Sequence, residues 1–284
     1  MISVDGVQVR YRDSGGTGPA VLLLHGIGGS LELWAQQFVD ANQSLRLIAL
    51  DLPGHGLSDF GPQPNAPQTF ARFVWQFANA LGLDQVHLVG NSMGGAICLQ
   101  MLVQQPVRVK TVLLADAATL GRDGPLPFRL MTLPVLGELL SRGNAMAVTQ
   151  QLKAIFHPTF VVSEEVRKTV ERNVMRPGAQ AAFLATLRQM SDLGGQRADL
   201  VDQAQAALRS ATQPMLILHG RQDSVIPLTH SENAHQLAVG SRLLLVDHCG
   251  HTPQLEQPAV FNAALLELIA RADPDASQYQ ETPK

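Results

Sequence analysis

Six short apolar runs constrain this chain more than any other feature: residues 21–24, 45–50, 86–89, 111–114, 215–218 and 243–246. The first three are closed at once by His25, Asp51 and Gly90. None alternates apolar with polar as a strand with one wet face would, so both faces of each strand are expected to be covered. Helix-length segments with apolar spacing separate them, as at Phe70, Phe73, Val74 and Phe77. Strands alternating with helices predict a mostly parallel, helix-flanked sheet with right-handed crossovers. Ahead of the first run, Asp5-Gly6 lies between residues 2–4 and the alternating stretch 7–11, a hairpin signal.

The alternation stops over residues 119–211. Pro125, Pro127 and Pro134 interrupt the chain there, and helical stretches are predicted around 135–151, 163–175 and 179–190, before the Gly194-Gly195 break. We therefore expect a body formed by 1–118 and 212–284, with a helical cap inserted at 119–211 and a closing helix over 257–269.

Bulk properties exclude several classes of function. A net charge of -3 offers no polycationic face for nucleic acid. No stretch reaches the roughly 18 to 20 apolar residues of a membrane span. The first eleven residues lack a basic-then-apolar leader, so a cytoplasmic location is expected. Two cysteines, Cys98 and Cys249, are too few for a disulfide framework and read as small buried residues. Neither a His-Glu-x-x-His or paired Cys-x-x-Cys metal motif nor a Gly-x-Gly-x-x-Gly turn occurs, so no metal and no nucleotide cofactor are expected.

The chemistry concentrates at Gly90-Asn91-Ser92-Met93-Gly94-Gly95, between the run 86–89 and the helical stretch 96–103. A serine on a sharp strand-to-helix turn projects its hydroxyl above the sheet, and the tightness of the turn demands small residues two places to either side. Ser92 is the expected nucleophile, and the Met93 amide, at the helix N-terminus, an expected oxyanion donor. A serine hydroxyl needs a base. His251, in Gly250-His251-Thr252-Pro253, follows the last strand run; His248 is its chief competitor. The acid that orients the base is expected to be Asp223, in the loop 220–227, with Asp116 after the run 111–114 as the alternative. The loop His25-Gly26-Ile27-Gly28-Gly29 is expected to supply the second oxyanion amide, from Ile27 or its neighbour Gly26, while His25 braces the loop. Gly26, Gly28, Asn91 and, from the cap, Leu130 and Leu133 are the expected pocket residues. The apolar cap segment around Phe128, Leu130, Met131, Leu133, Val135 and Leu136 reads equally as an acyl pocket or as the packing core of the cap.

As a set, the serine turn, the stretch Asp51-Leu52-Pro53-Gly54-His55-Gly56-Leu57-Ser58, the acid loop and the Gly250–Pro253 motif resemble the α/β-hydrolase family. The resemblance implies an α/β fold with a mostly parallel eight-stranded sheet, flanking helices and an inserted helical cap. It also implies acyl transfer. The serine motif is similar both to small carboxylesterases and lipases and to carbon–carbon hydrolases that cleave dienoic ring-fission products. Members of the second group pair the asparagine before the nucleophile, here Asn91, with a cap arginine and carry a tryptophan after the histidine. This chain has Thr252 at the latter position and Val170 where the arginine is expected, with Arg167, Arg172 and Arg188 as other cap arginines. The expected function is thus hydrolysis of small to medium carboxylic esters, a small-molecule substrate. Carbon–carbon cleavage and a catalytically silent ligand-binding scaffold are the alternatives.

Overall fold

The computed structural model describes residues 1–39, 45–62 and 65–273. The chain opens with a hairpin of β1 (Ile2–Val4) and β2 (Val7–Val9). Next come β3 (Tyr11–Asp13), β4 (Ala20–Leu24), α1 (Ala35–Val39), β5 (Arg46–Leu50), α2 (Pro67–Ala80), β6 (Val86–Asn91), α3 (Met93–Gln104) and β7 (Val109–Ala115). The inserted region carries α4 (Leu126–Met131), α5 (Leu136–Leu140), α6 (Ala145–Ile155), α7 (Glu164–Met175) and α8 (Ala179–Met190). A small hairpin of β8 (Ser191–Asp192) and β9 (Gly195–Gln196) leads into α9 (Ala198–Ser210). The chain then returns through β10 (Met215–Gly220), α10 (Leu228–Leu237), β11 (Arg242–Val246), α11 (Pro253–Glu256) and α12 (Pro258–Ala272).

The main sheet has the order β11-β10-β7-β6-β4-β5-β3, with every pair parallel except β3–β5. All six apolar runs fall on its strands. Their lack of alternation has a direct cause, since successive residues enter two different cores. Leu22, Leu24, Ile48, Leu88, Val112, Leu114 and Ile217 meet α2, α3 and α9 on one face. Val21, Leu23, Leu47, Val89, Leu113, Leu216 and Leu218 meet Trp34, Phe38 and α12 on the other. Burying both faces removes any need for a polar stripe.

The expected eight strands are corrected to seven among the described residues. β1 and β2 pair only with each other and pack Val4, Val7 and Val9 into the first core. The free edge of β2 is satisfied by a loop: Asp59 N–H donates to Gln8 O at 2.9 Å and Arg10 N–H to Ser58 Oγ at 2.8 Å.

The insertion has its own apolar cluster, in which Val148, Leu152, Phe156 and Val170 meet Leu33 and Leu255 of the body. Dividing the chain into a body (1–118 and 212–284) and a cap (119–211) is our proposal. That division counts α9 with the cap, although its Leu200, Ala204, Ala207 and Leu208 pack into the first core of the body. Among the described residues no helix is long and apolar enough to cross a membrane.

Candidate active site

Strand register gathers the loops. Leu24 at the end of β4 stands level with Gly90 near the end of β6, so the loop from His25 and the turn at Ser92 emerge side by side. The chain leaves β4 toward β5 on one side and returns to β6 on the other. This reversal of strand order opens a crevice beyond the strand ends, where α/β sheets place their ligands.

Ser92 occupies the turn between β6 and α3 with φ 56° and ψ -120°. Such backbone costs a non-glycine residue on the order of 1–3 kcal/mol and persists only where the surroundings enforce it. The enforcement is steric. A Cβ on Gly90 would lie 2.3 Å from the Gly94 backbone, and one on Gly94 would lie 2.0 Å from Leu24 O, so neither position admits a side chain. Ser92 is then held by its own N–H, which donates to Ala115 O at 3.0 Å. Met93 is the first residue of α3, where a helix leaves its amide without an intrahelical acceptor.

The glycine loop after β4 approaches this serine closely: a Cβ on Gly26 would meet Ser92 Cβ at 3.0 Å and Oγ at 3.4 Å. His25, fully buried, braces the loop. Leu52 N–H donates to its Nε2 at 3.1 Å, so the ring proton sits on Nδ1 and is donated to Gly26 O at 2.7 Å. Burial lowers the imidazole's affinity for a second proton, outweighing the Asp51 charge that would raise it. Gly28 faces the cap, where a Cβ would meet Phe183 at 3.6 Å and Gln151 Nε2 at 3.7 Å. Phe183 is packed edge-to-face on Phe128, with centroids 6.3 Å apart.

His251 Nδ1 lies 2.7 Å from Asp223 Oδ2. The other Asp223 oxygen accepts Val225 N–H at 2.7 Å and Ile226 N–H at 3.2 Å. Burial alone would raise the acid's pKa; the His251 imidazole, then His219 and the Val225 amide, hold it below the usual carboxylate value instead. The pairing fixes the proton on Nδ1 and leaves Nε2 as the acceptor a base requires. The competing histidines lie elsewhere. His248 is exposed, and His219 is held by Ser231 Oγ at 2.8 Å and Ile226 O at 3.1 Å. Asp116, the alternative acid, is buried with Oδ1 accepting Gly220 N–H at 2.9 Å. Ser92 and His251 form no hydrogen bond with each other among the described residues, and such contacts often close only around substrate.

Three of the expected pocket positions are placed as follows. Asn91 is buried with its side chain directed at backbone: Nδ2 donates to His251 O at 2.9 Å and to Ala115 O at 3.2 Å. It ties the serine turn to the histidine loop. Leu130 and Leu133 are half-buried in the segment of α4 and the turn after it, while Leu126, Val135, Leu139 and Leu140 around them are exposed.

Sequence reading missed Glu256. Its buried carboxylate accepts Gly250 N–H at 3.0 Å, Thr252 N–H at 3.0 Å, Thr252 Oγ–H at 3.1 Å and, from the cap, His157 N–H at 2.6 Å. The end of α6 completes the clamp, with Ile155 O accepting His251 N–H at 2.9 Å and Ala154 O accepting Ser224 Oγ–H at 2.8 Å. The available signal was a glutamate five residues after the histidine, in a segment otherwise poor in charge.

Donor atoms of Asp116, His219 and Asp223 lie within 4.8 Å of one another. With both His219 nitrogens and Asp223 Oδ2 already engaged, the group is poorly disposed to hold an ion. Cys249 is buried; burial, and next the charges of Glu256, Asp116 and Asp223, raise its thiol pKa. A cavity of about 450 Å³ opens at the opposite edge of the sheet, between Ala20, Arg46, His87 and Lys110. There Arg46 is paired with Asp13 and Lys110 with Asp273.

A family model described as alpha/beta hydrolase fold matches residues 19–258. The chain is 30% identical over 270 residues to an uncharacterised protein of Mycobacterium tuberculosis, covering 91% of this chain and 77% of that one. It is likewise 30% identical over 278 residues to the 2-hydroxymuconate semialdehyde hydrolase of a Pseudomonas species, covering 94% and 92%. The solved structure of a thermophilic esterase from Thermogutta terrifontis superposes with a TM-score of 0.77 at 22% identity, covering 95% of this chain and 96% of that one. With the strand order, the strained serine turn and this family match across both the body and the insertion, the chain belongs to the alpha/beta hydrolase fold family.

Proposed function

We propose that the protein is a serine hydrolase of small to medium carboxylic esters, working through an acyl-enzyme. The observation that carries this reading is the pairing of Asp223 with His251 at 2.7 Å at the same sheet edge as the strained Ser92. Ser92 Oγ attacks the ester carbonyl while His251 Nε2 takes its proton, and the amides of Met93 and Ile27 receive the oxyanion. His251 then protonates the departing alkoxide, which leaves as the alcohol. A water, deprotonated by the same nitrogen, attacks the acyl carbon and releases the acid and Ser92. Asp223 keeps the imidazole in the required tautomer and balances its positive form. This reading assigns the acyl group to the apolar side chains of Ile27 and the packed pair Phe128 and Phe183.

Carbon–carbon hydrolysis is the second reading, favoured by the identity to the 2-hydroxymuconate semialdehyde hydrolase. The cap side chains favour the ester. Cleaving a ring-fission dienoate requires charge to be held on a remote carboxylate and oxygen, a task suited to a guanidinium. Val170 lies in the apolar cap cluster, Arg172 is committed to Glu32 at 2.8 Å, Arg188 to Glu138 at 2.8 Å, and Arg167 is exposed. Thr252 is engaged by Glu256 and Ile155 O. The deciding measurement is kcat/KM for a butanoate ester against that for a ring-fission dienoate. Higher efficiency on the dienoate overturns the ester assignment, and failure of an active-serine phosphonate to label Ser92 overturns the enzyme reading altogether.

A further inference from the structure

Asp116 is a buried carboxyl group that the mechanism above does not use. It follows β7 directly, in a left-handed conformation with φ 46°. Positive φ is uncommon outside glycine, aspartate being among the residues that adopt it most readily, and here the side chain is fully buried. Register puts it beside β10, since Ala115 pairs with Leu218, and its Oδ1 accepts Gly220 N–H at 2.9 Å. Its Oδ2 has no donor among the described residues, although it is buried. Leaving such an atom unsatisfied costs on the order of 1–3 kcal/mol.

The groups facing it explain the missing partner. Asp223 and His219 lie with it in one cluster, and the charges of Asp223 and Glu256 both act on it; Cys249 stands beside them as a neutral thiol. Among the described residues no arginine or lysine forms an ion pair with Asp116, whose one ion-pair distance is to His219. His219 cannot serve as donor. Ile226 O can only accept, so the ring proton is on Nε2 and Nδ1 accepts from Ser231 Oγ–H; the nearer Asp116 oxygen is 3.7 Å from Nδ1. Burial lowers the His219 pKa to about 4, which keeps the ring neutral. Two carboxyl groups therefore share a buried site, His251 being engaged by Asp223 and His219 held neutral, and like charges so placed do not both ionise. A proton on Asp116 satisfies its orphan oxygen and the facing acceptor together.

We propose that Asp116 is a positioning residue held as the neutral carboxylic acid, donating its proton in a hydrogen bond to the Asp223 carboxylate. The catalytic pair becomes a chain Asp116–Asp223–His251, in which Asp116 fixes the acid loop and moderates the charge Asp223 presents to the imidazole. Burial, and next the Asp223 charge, raise the Asp116 pKa well above the ordinary value, in agreement with this placement. The inference rests on the proposed roles of Asp223 and His251, but the protonation of Asp116 can be tested without them.

The test combines two variants with a direct readout. Asp116→Asn keeps an acceptor for Gly220 N–H and supplies an N–H to Asp223. The ascending limb of its kcat/KM–pH profile is expected to stay within about 0.3 unit of wild type. Asp116→Leu removes the donor, leaves Asp223 more negative and stabilises the imidazolium, so its limb is expected to move up by about half a unit to one unit. An ionised Asp116 predicts the contrary: Asn would remove a negative charge near the imidazole and the limb would move down. A downward shift of half a unit or more in Asp116→Asn, or an unshifted limb in a folded Asp116→Leu, overturns the proposal. Carboxyl-carbon NMR of the full chain with labelled aspartate, assigned through Asp116→Asn, reads the protonation directly. A protonated Asp116 signal at pH 7 is expected, and an ionised one overturns the proposal whether or not esters are the substrate.

Discussion

The Glu256 carboxylate accepts the backbone N–H of His157 at 2.6 Å, so the end of cap helix α6 and the loop carrying His251 share one buried acceptor. Every group bonded to it donates, the Cys249 thiol at 4.0 Å included. Glu256→Gln would turn an amide N–H2 toward at least one of them. Bonds to a charged group are worth about 1.5–3 kcal/mol, and a loss of about 2 kcal/mol in unfolding free energy is expected. The same variant should lower kcat at least as strongly as it raises KM, because the base rather than a substrate contact is displaced. Denaturant unfolding and steady-state kinetics check both, and an effect confined to KM would place Glu256 in substrate binding instead.

Ser92→Ala should abolish turnover down to the residual expected from binding and oxyanion donors alone. The fold should persist, since the glycines at 90 and 94 that permit the turn are untouched. Retention of more than about a tenth of wild-type turnover, against the far larger loss expected for a nucleophile, would remove Ser92 from that role.

Asp223→Asn and Asp116→Asn should separate sharply in single-turnover acylation. The first removes the charge beside His251 Nδ1 and can hold the wrong tautomer, so a loss of more than about a hundredfold is expected. The second should cost no more than about threefold, since an amide satisfies the same neighbours. Severe impairment of Asp116→Asn with a mild Asp223→Asn would exchange the two assignments.

Glu32 links the cap to the body across a second contact. It bonds Arg172 of α7 at 2.8 Å and Arg10 at 2.7 Å, and Ser30 Oγ–H donates to it at 2.7 Å. Burial would raise its pKa, but the Arg172, Ser30 and Arg10 bonds hold it down to about 2. A depressed carboxyl contributes stability that is present above its unfolded value of 4.5 and lost as pH falls through that value toward 2. The stability gap between wild type and Glu32→Gln, which does not titrate, should therefore be widest above pH 5 and shrink between pH 4.5 and 2. A gap that is constant over that range would show that Glu32 acts through shape rather than charge.

The strands, the serine turn and the residues competing for each role were legible because local physics writes them into the chain. A strand buried on both faces must be apolar throughout, and a turn as tight as that at Ser92 must flank the serine with glycines. Such requirements act over five or six neighbouring residues. The strand count was not legible in the same way, because the hairpin at 2–9 has the same local pattern whether it joins the sheet or folds on itself. In the structure residues 58–59 of a loop, not a strand of the main sheet, bond to this segment.

The sequence by itself determined the alternating strand–helix order, the inserted helical segment and the spacing of Ser92, Asp223 and His251, since each follows from apolar periodicity, glycine placement or chain order. Only the tertiary structure decided that Asp223 rather than Asp116 takes His251 Nδ1, that Asn91 reaches the His251 carbonyl, and that Glu256 clamps the cap end to the histidine loop. Those contacts join residues 28, 160 and 99 positions apart in the chain. Their partners are chosen by strand register and by which buried donors lack an acceptor, and neither quantity exists until the sheet has formed.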